Sequence, residues 1–195
     1  MQKIKDIVQS SIDTKQLVLQ DERLVQLIAT VSDVITNAFQ TGKRVYFCGN
    51  GGSAADAQHL AAELSGAFYN RNRRALPAEA LHCNTSYLTA VANDFDFSMI
   101  YVRLVQSITE KGDVLIGMST SGNSPNVVKA FEEARNKGVI TVGMTGESGG
   151  QMRELSDYLF NIPSSTTPRI QESHMLIGHI ICELVEENIF PIQKS

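Results

Sequence analysis

A chain of 195 residues, 43% of them hydrophobic, is long enough to bury a sizeable core and suits one domain, or a domain with a helical appendage. A formal charge of -4 leaves no basic footprint for nucleic acid, and no long uncharged apolar run offers a membrane span. Met1-Gln2-Lys3-Ile4-Lys5-Asp6 lacks the apolar core of a secretory signal, and Cys48, Cys83 and Cys182 are odd in number and widely spaced, so reduced thiols and a cytoplasmic location are expected.

Residues 3 to 40 read as two helical pieces. Ile4, Ile7, Val8 and Ile12 form one stripe, and Leu24, Leu27, Ile28, Val31, Ile35, Ala38 and Phe39 form another, with Asp21 as N-cap. Arg44 to Cys48 is then a short apolar strand, the glycines of Gly49-Asn50-Gly51-Gly52 turn the chain sharply, and Ser53-Ala54-Ala55-Asp56 opens an Ala-rich helix to about 66. Further strands are predicted at Ala78–Leu81, Asp113–Met118, Val139–Met144 and Tyr158–Ile162, between helical patterns near 86–92, 97–108, 125–137 and 149–155. A final helix over 167–189 carries Ile170, Leu176, Ile177, Ile180, Ile181, Leu184 and Val185. Apolar strands alternating with helices predict an α/β domain whose parallel sheet is covered on both faces, with ligands at the carboxyl ends of its strands. The whole of 1–195 is read as one domain, 1–40 being its helical start and 41–195 the α/β core with the last helix. The terminal helices either cap this domain or pack against those of another chain as a bundle.

Two loops fall where such ligands sit. The first, Gly49 to Ser53, presents free backbone N–H groups and the positive end of a helix to a phosphate or an oxyanion. The second, Ser119-Thr120-Ser121-Gly122-Asn123-Ser124, precedes a helix that starts at Pro125. Ser124 with Pro125 makes an N-cap and N1 pair, but capping does not use Ser119, Thr120 and Ser121, whereas a phosphate with several acceptor oxygens does.

Acid/base groups follow the first loop. His59 and Glu63 lie four residues apart and project from one helix face, as a surface pair or a working one. Gln171 and Glu172 either face solvent or join a site, and His179, between Gly178 and Ile180 on an apolar stretch, is a buried histidine or a working one.

Taken together, Gly49 to His59, Ala62-Glu63-Leu64, Asn93-Asp94-Phe95, Ser119 to Ser124, and Arg169-Ile170-Gln171-Glu172 with His174 and His179 resemble the phosphoheptose isomerase family, a branch of the sugar-isomerase (SIS) domain. The likeness covers essentially the whole chain in order. It implies a five-stranded parallel sheet flanked by helices in a flavodoxin-like three-layer arrangement, and a homotetramer with terminal helices bundled and active sites at subunit interfaces. It also implies conversion of sedoheptulose 7-phosphate to D-glycero-D-manno-heptose 7-phosphate, the first step toward ADP- or GDP-heptose for lipopolysaccharide or capsule. Carried over by the resemblance, Ser53, Ser119, Thr120, Ser121 and Ser124 match a phosphate pocket, and Asn50, Gly51, Gly52, Asn93 and Asp94 match sugar contacts. Glu63 and His179 match the catalytic acid/base pair, Gln171 and Glu63 also match substrate contacts, and His59, Glu63, Gln171 and His179 match a zinc site with one N or O donor each.

Two departures bear on substrate positioning: Ala67 stands where some relatives have arginine, and Pro168 where some have an acid. The alternatives are an isomerase of another sugar phosphate and a non-catalytic SIS-domain tetramer that binds the replication initiator DnaA, a relative suggested by the Phe190-Pro191 tail but lacking the acid/base pair. Gln171 and His179 stand about 12 Å apart along a helix and about 80° apart around it. On that spacing the metal site is expected to draw Gln171 or His179 from one chain and Glu63 from another.

Overall fold

The computed structural model describes residues 1–191. Helices α1 (Gln2–Gln20) and α2 (Glu22–Gln40) come first, followed by β1 (Val45–Gly49), α3 (Gly52–Ser65), β2 (Ala78–Ala80), α4 (Thr85–Asp94) and α5 (Val102–Ile108). Then come β3 (Val114–Met118), α6 (Pro125–Lys137), β4 (Ile140–Thr145), β5 (Tyr158–Asn161) and α7 (Thr167–Ile189). All strand pairs are parallel, in the order β2-β1-β3-β4-β5. The order reverses beside β1, so the loops after β1 and β3 lie next to each other at the carboxyl edge, where doubly wound sheets place their ligands.

Alternate strand residues feed two cores. Val45, Phe47, Val114, Ile116 and Met118 face α2, α3 and α7, while Tyr46, Cys48 and Leu115 face α5 and α6. Every residue of β1 and β3 is buried, which is why these strands read as continuous apolar runs. Cys48 and Cys182 lie in these cores, and burial pushes both thiols up, Cys182 to about 12. Both act as small apolar residues.

Asp21 caps α2 as expected, accepting from the backbone N–H of Arg23 and Leu24. Two expected helices turn out tighter. Phe97–Met99 and Gly150–Leu155 are 3-10 turns, and only 102–108 of the region from 97 is α-helical. Asp96 accepts from the Ser98 N–H at 2.8 Å and closes a short turn there instead of starting a long helix.

Only Thr14 and Val18 of α1 are buried, and Ile4, Ile7, Val8 and Ile12 remain between 49% and 60% exposed. The motif Arg169 to Glu172 fastens this helix. Arg169 donates to the Ile7 carbonyl at 2.7 Å, and Glu172 accepts from Ser11 at 2.6 Å and pairs with Lys15. Among the described residues, no helix is long and apolar enough to cross a membrane.

Candidate active site

The α3–α7 contact builds the chemical half of the site. Both helices leave the carboxyl edge of the sheet and run side by side. At their starts, a Cβ on Gly52 would meet the Gln171 amide at 2.7 Å, so only glycine lets that side chain lie across the loop. Two turns on, a Cβ on Gly178 would lie 2.4 Å from Leu60, so glycine again permits the close approach that brings the neighbouring His179 to α3.

There the His59 Nε2 lies 3.0 Å from Glu63 Oε1, and the His179 Nε2 lies 3.4 Å from the His59 Nε2. One ligand atom from each of His59, Glu63 and His179 lies within 4.8 Å of the other two. In tetrahedral zinc sites with bonds near 2.0–2.1 Å, donors stand about 3.3 Å apart, so two imidazoles and a carboxylate at these separations fit a zinc ion. Two imidazole nitrogens facing each other also need a shared proton or a shared cation between them.

All three residues belong to one chain, which corrects the expectation that Glu63 and His179 meet across a subunit boundary. Gln171 and His179 are far apart along α7, as their spacing requires, but α3 runs beside α7 and meets both. The trio therefore forms without a neighbour. Gln171 sits instead at the level of Gly52, about 10 Å along α3 from His59 at 1.5 Å per residue.

The second loop is a prebuilt polar cradle. Ser119, 3% exposed, shares hydrogen bonds with Ser124 at 2.9 Å and Ser121 at 3.5 Å. Ser124 stands at the N-cap of α6 but makes no side-chain cap bond, so its hydroxyl serves the loop rather than the helix end. A reciprocal amide pair, Asn50 to Asn126 with both bonds at 2.8 Å, ties the first loop to the second. Tyr101 donates to the Gly49 carbonyl and braces the same turn. Ser53 is buried at the start of α3, beside these groups.

Beyond Thr120 and Ser121 opens a cavity of about 230 Å³, also lined by Ser164, Ser165 and Thr167. Asn126 and this third hydroxyl loop escaped the sequence reading. Ser164-Ser165-Thr166-Thr167 before Pro168 repeats the pattern of Ser119 to Pro125, a signal that was there to be read. Asn93 and Asp94 bond each other at 2.8 Å on the exposed end of α4, and among the described residues no hydrogen bond links them to either loop.

Titratable groups that shift under burial include His174, fully buried, and Asp56 and His82, half-buried. Burial pushes His174 down to about 4, against its hydrogen bond to the Thr145 carbonyl at 3.1 Å, which alone would raise it. Burial likewise raises the Asp56 carboxyl, although nearby His59 opposes this, and it lowers His82.

A family model described as the SIS domain matches residues 12–146. The phosphoheptose isomerase of Aneurinibacillus thermoaerophilus is 50% identical over 187 residues, which cover 96% of this chain and 94% of that protein. The Clostridium acetobutylicum phosphoheptose isomerase is 45% identical over 183 residues, 94% of this chain and 93% of that protein. Among solved structures, a phosphoheptose isomerase from Francisella tularensis aligns with a TM-score of 0.92 at 32% identity, covering 95% of this chain and 97% of that one. The enzyme from Neisseria gonorrhoeae aligns with a TM-score of 0.89 at 35% identity, covering 95% and 98%.

Proposed function

The chain belongs to the phosphoheptose isomerase family of SIS-domain proteins, and on that footing we propose that it converts sedoheptulose 7-phosphate to D-glycero-D-manno-heptose 7-phosphate, the first step toward an activated heptose. The observation that carries this reading is a carboxylate and two imidazoles gathered between the helix that leaves the glycine loop and α7, with a hydroxyl cradle tied to that loop through Asn50 and Asn126. A non-catalytic relative that binds a protein has no use for this arrangement.

In the ketose, Glu63 takes a proton from C1, and the electrons of that bond form the C1–C2 double bond of an enediolate. Return of a proton to C2 gives the aldose, while His179 moves a proton between O2 and O1. Glu63 Oε1 faces His59, which leaves the second carboxylate oxygen for the proton. Ser119, Thr120, Ser121, Ser124 and Ser53 hold the phosphate, while Asn50, Gly51, Gly52 and Gln171 line the sugar's path to the trio. Phosphate binding far from the reacting carbons fixes their register, so its energy goes into orientation. His59, Glu63 and His179 would hold one zinc ion; when bound, such an ion polarises the sugar oxygens as a Lewis acid.

The working form is a homotetramer with sites at subunit interfaces. The exposed stripe of α1 and an apolar groove lined by Val18, Leu19, Ile28, Leu176, Ile180 and Leu184 support this, because a monomer would leave both in water. A neighbour's Asn93 and Asp94 would then complete the sugar contacts. Incubating purified protein with sedoheptulose 7-phosphate and following the aldose through a coupled assay tests the reading. Turnover supports it, and no turnover with or without added zinc defeats it. Activity on a different sugar phosphate alone would move the assignment to that substrate.

A further inference from the structure

Between α3 and β2 the chain doubles back through residues 66–77 and passes over the far end of α7. One carboxylate organises the passage. Glu186 accepts from the backbone N–H groups of Phe68, Tyr69 and Asn70 at 3.0, 2.8 and 2.7 Å, and from the Arg73 guanidinium. Arg73 and Glu186 side chains are 1% and 6% exposed, so this is a fully enclosed ion pair.

The pair has two outputs, and both reach the site. Arg73 also donates through Nη2 to the Glu63 carbonyl at 2.8 Å. That carbonyl lies in the last turn of α3, where the helix itself supplies no partner. On the other side, Phe68, whose N–H Glu186 holds, places its ring 5.9 Å from the His179 ring. One buried pair thus touches the backbone of the base and, through Phe68, the imidazole opposite it.

Stability alone does not explain such a pair, since apolar side chains of similar volume generally stabilise an interior as well or better. What an ion pair with five directed donors supplies is fixed geometry. We propose that Arg73 and Glu186 are positioning residues for the isomerase site: together with Phe68 they hold the Glu63 end of α3 and the His179 ring in the register that the acid/base pair and a bound cation require. The inference rests on the isomerase reading above. It also gives the loop that begins at Gly66-Ala67 a role through its backbone and Phe68, with no cation at position 67.

Arg73→Lys keeps the charge, but a single ammonium cannot replace a planar fork that spans Glu186 and the Glu63 carbonyl. Phe68→Leu keeps an apolar filler and leaves the ion pair intact, so it remains informative if Glu186→Gln fails to fold. Each folded variant is assayed for zinc affinity by chelator competition, for inorganic phosphate affinity by calorimetry, and for kcat and KM on sedoheptulose 7-phosphate. The expected result is a fall of about 10- to 100-fold in zinc affinity and in kcat, the scale of lost outer-shell support. Phosphate affinity and KM should stay within about twofold, because the cradle lies elsewhere. Unchanged zinc affinity and kcat in folded Arg73→Lys and Phe68→Leu would overturn the proposal. So would equal losses of zinc and phosphate affinity, which mark general loosening. Failure of the wild-type protein to turn over the sugar phosphate would instead bring down the isomerase reading, and the inference with it.

Discussion

The loops after β1 and β3 share one plan, strand to turn to helix N-terminus, yet they are filled with opposite chemistry. The loop after β3 holds neutral hydroxyls bonded to one another, and its one proline-started helix is left without a side-chain cap. The loop after β1 holds glycines, and its titratable groups sit two and three turns along α3 and on α7. A phosphate handle needs donors that keep the same state at every working pH, and serine hydroxyls do. Proton transfer needs groups that change state, and those are kept off the turn itself, on rigid helices where packing sets their angles. The Asn50–Asn126 pair then fixes the distance between handle and chemistry.

The sharpest way to break this division is Glu63→Gln, which keeps shape and removes basicity. Turnover should fall about a hundredfold or more, as expected for loss of a general base. Inorganic phosphate affinity should not change. A folded Glu63→Gln protein with near-normal turnover would remove Glu63 from the role. Mixing subunits sharpens the point. Because Glu63 and His179 meet within one chain, co-refolding Glu63→Gln with His179→Gln protein should recover no activity, even where mass spectrometry proves that the subunits mix.

A second prediction concerns the titratable group beneath the handle. His174 is fully buried and donates to the carbonyl of Thr145, next to Gly146, whose N–H donates to Thr120. Its folded pKa of about 4 lies below the ordinary 6.5, so the unfolded chain binds the proton more readily. The neutral ring therefore contributes stability that is fully present above 6.5 and is lost as pH falls toward 4, in total on the order of 3 kcal/mol. Denaturant midpoints of wild type and His174→Gln, compared between neutral pH and the acid side of that window, check this. The wild type should lose more, and parallel curves would defeat it. Glu186 adds a later loss. Burial alone would raise its carboxyl, but Arg73 and the N–H groups of Asn70, Tyr69 and Phe68 override that and bring it to about 2, so its share goes as pH falls from 4.5 toward 2.

The handle itself is tested by Ser119→Ala with Ser121→Ala. Hydrogen bonds to a charged ligand are worth about 1.5–3 kcal/mol each, so losing two should lower phosphate affinity by about a hundredfold or more. KM should rise more than kcat falls, unless the binding energy is realised in the transition state. Unchanged affinity in the double variant would place the phosphate elsewhere, the cavity beside Ser164 and Ser165 being the next place to look.

The sheet and both loops were legible because burial on two faces writes continuous apolar strands, and glycine or hydroxyl runs mark where they end. His59 and Glu63 were legible because helical spacing is local. The partnership of His179 with Glu63 and His59 was legible through the family resemblance, but its place within one chain was not: the approach of α7 to α3 depends on Gly178 meeting Leu60, a contact between residues more than a hundred positions apart. Asn126 was hidden for a similar reason, since one asparagine inside a helix start says nothing until Asn50 is seen opposite it. The tight turns at 97–99 and 150–155 carry helical periodicity; at 97–99 the Asp96 carboxylate closes the turn on the Ser98 N–H, while 150–155 has no side-chain cap.

The smallest effect expected separates what Ser124 looks like from what it does. Before Pro125 it has the sequence of an N-cap, and losing a working serine cap costs about 1 kcal/mol of stability. In the structure its hydroxyl makes no cap bond and instead meets Ser119 at 2.9 Å. Ser124→Ala should therefore spare α6, with a stability change below about 0.5 kcal/mol, the range of substitutions that disturb no such feature. Ser119 keeps Ser121 within reach at 3.5 Å, so its own hydroxyl is not stranded. The loss should appear in ligand binding, as a drop of a few-fold, about 1 kcal/mol, in inorganic phosphate affinity. A full cap-sized destabilisation with phosphate affinity intact would return Ser124 to the helix end and leave the handle to Ser119, Thr120 and Ser121.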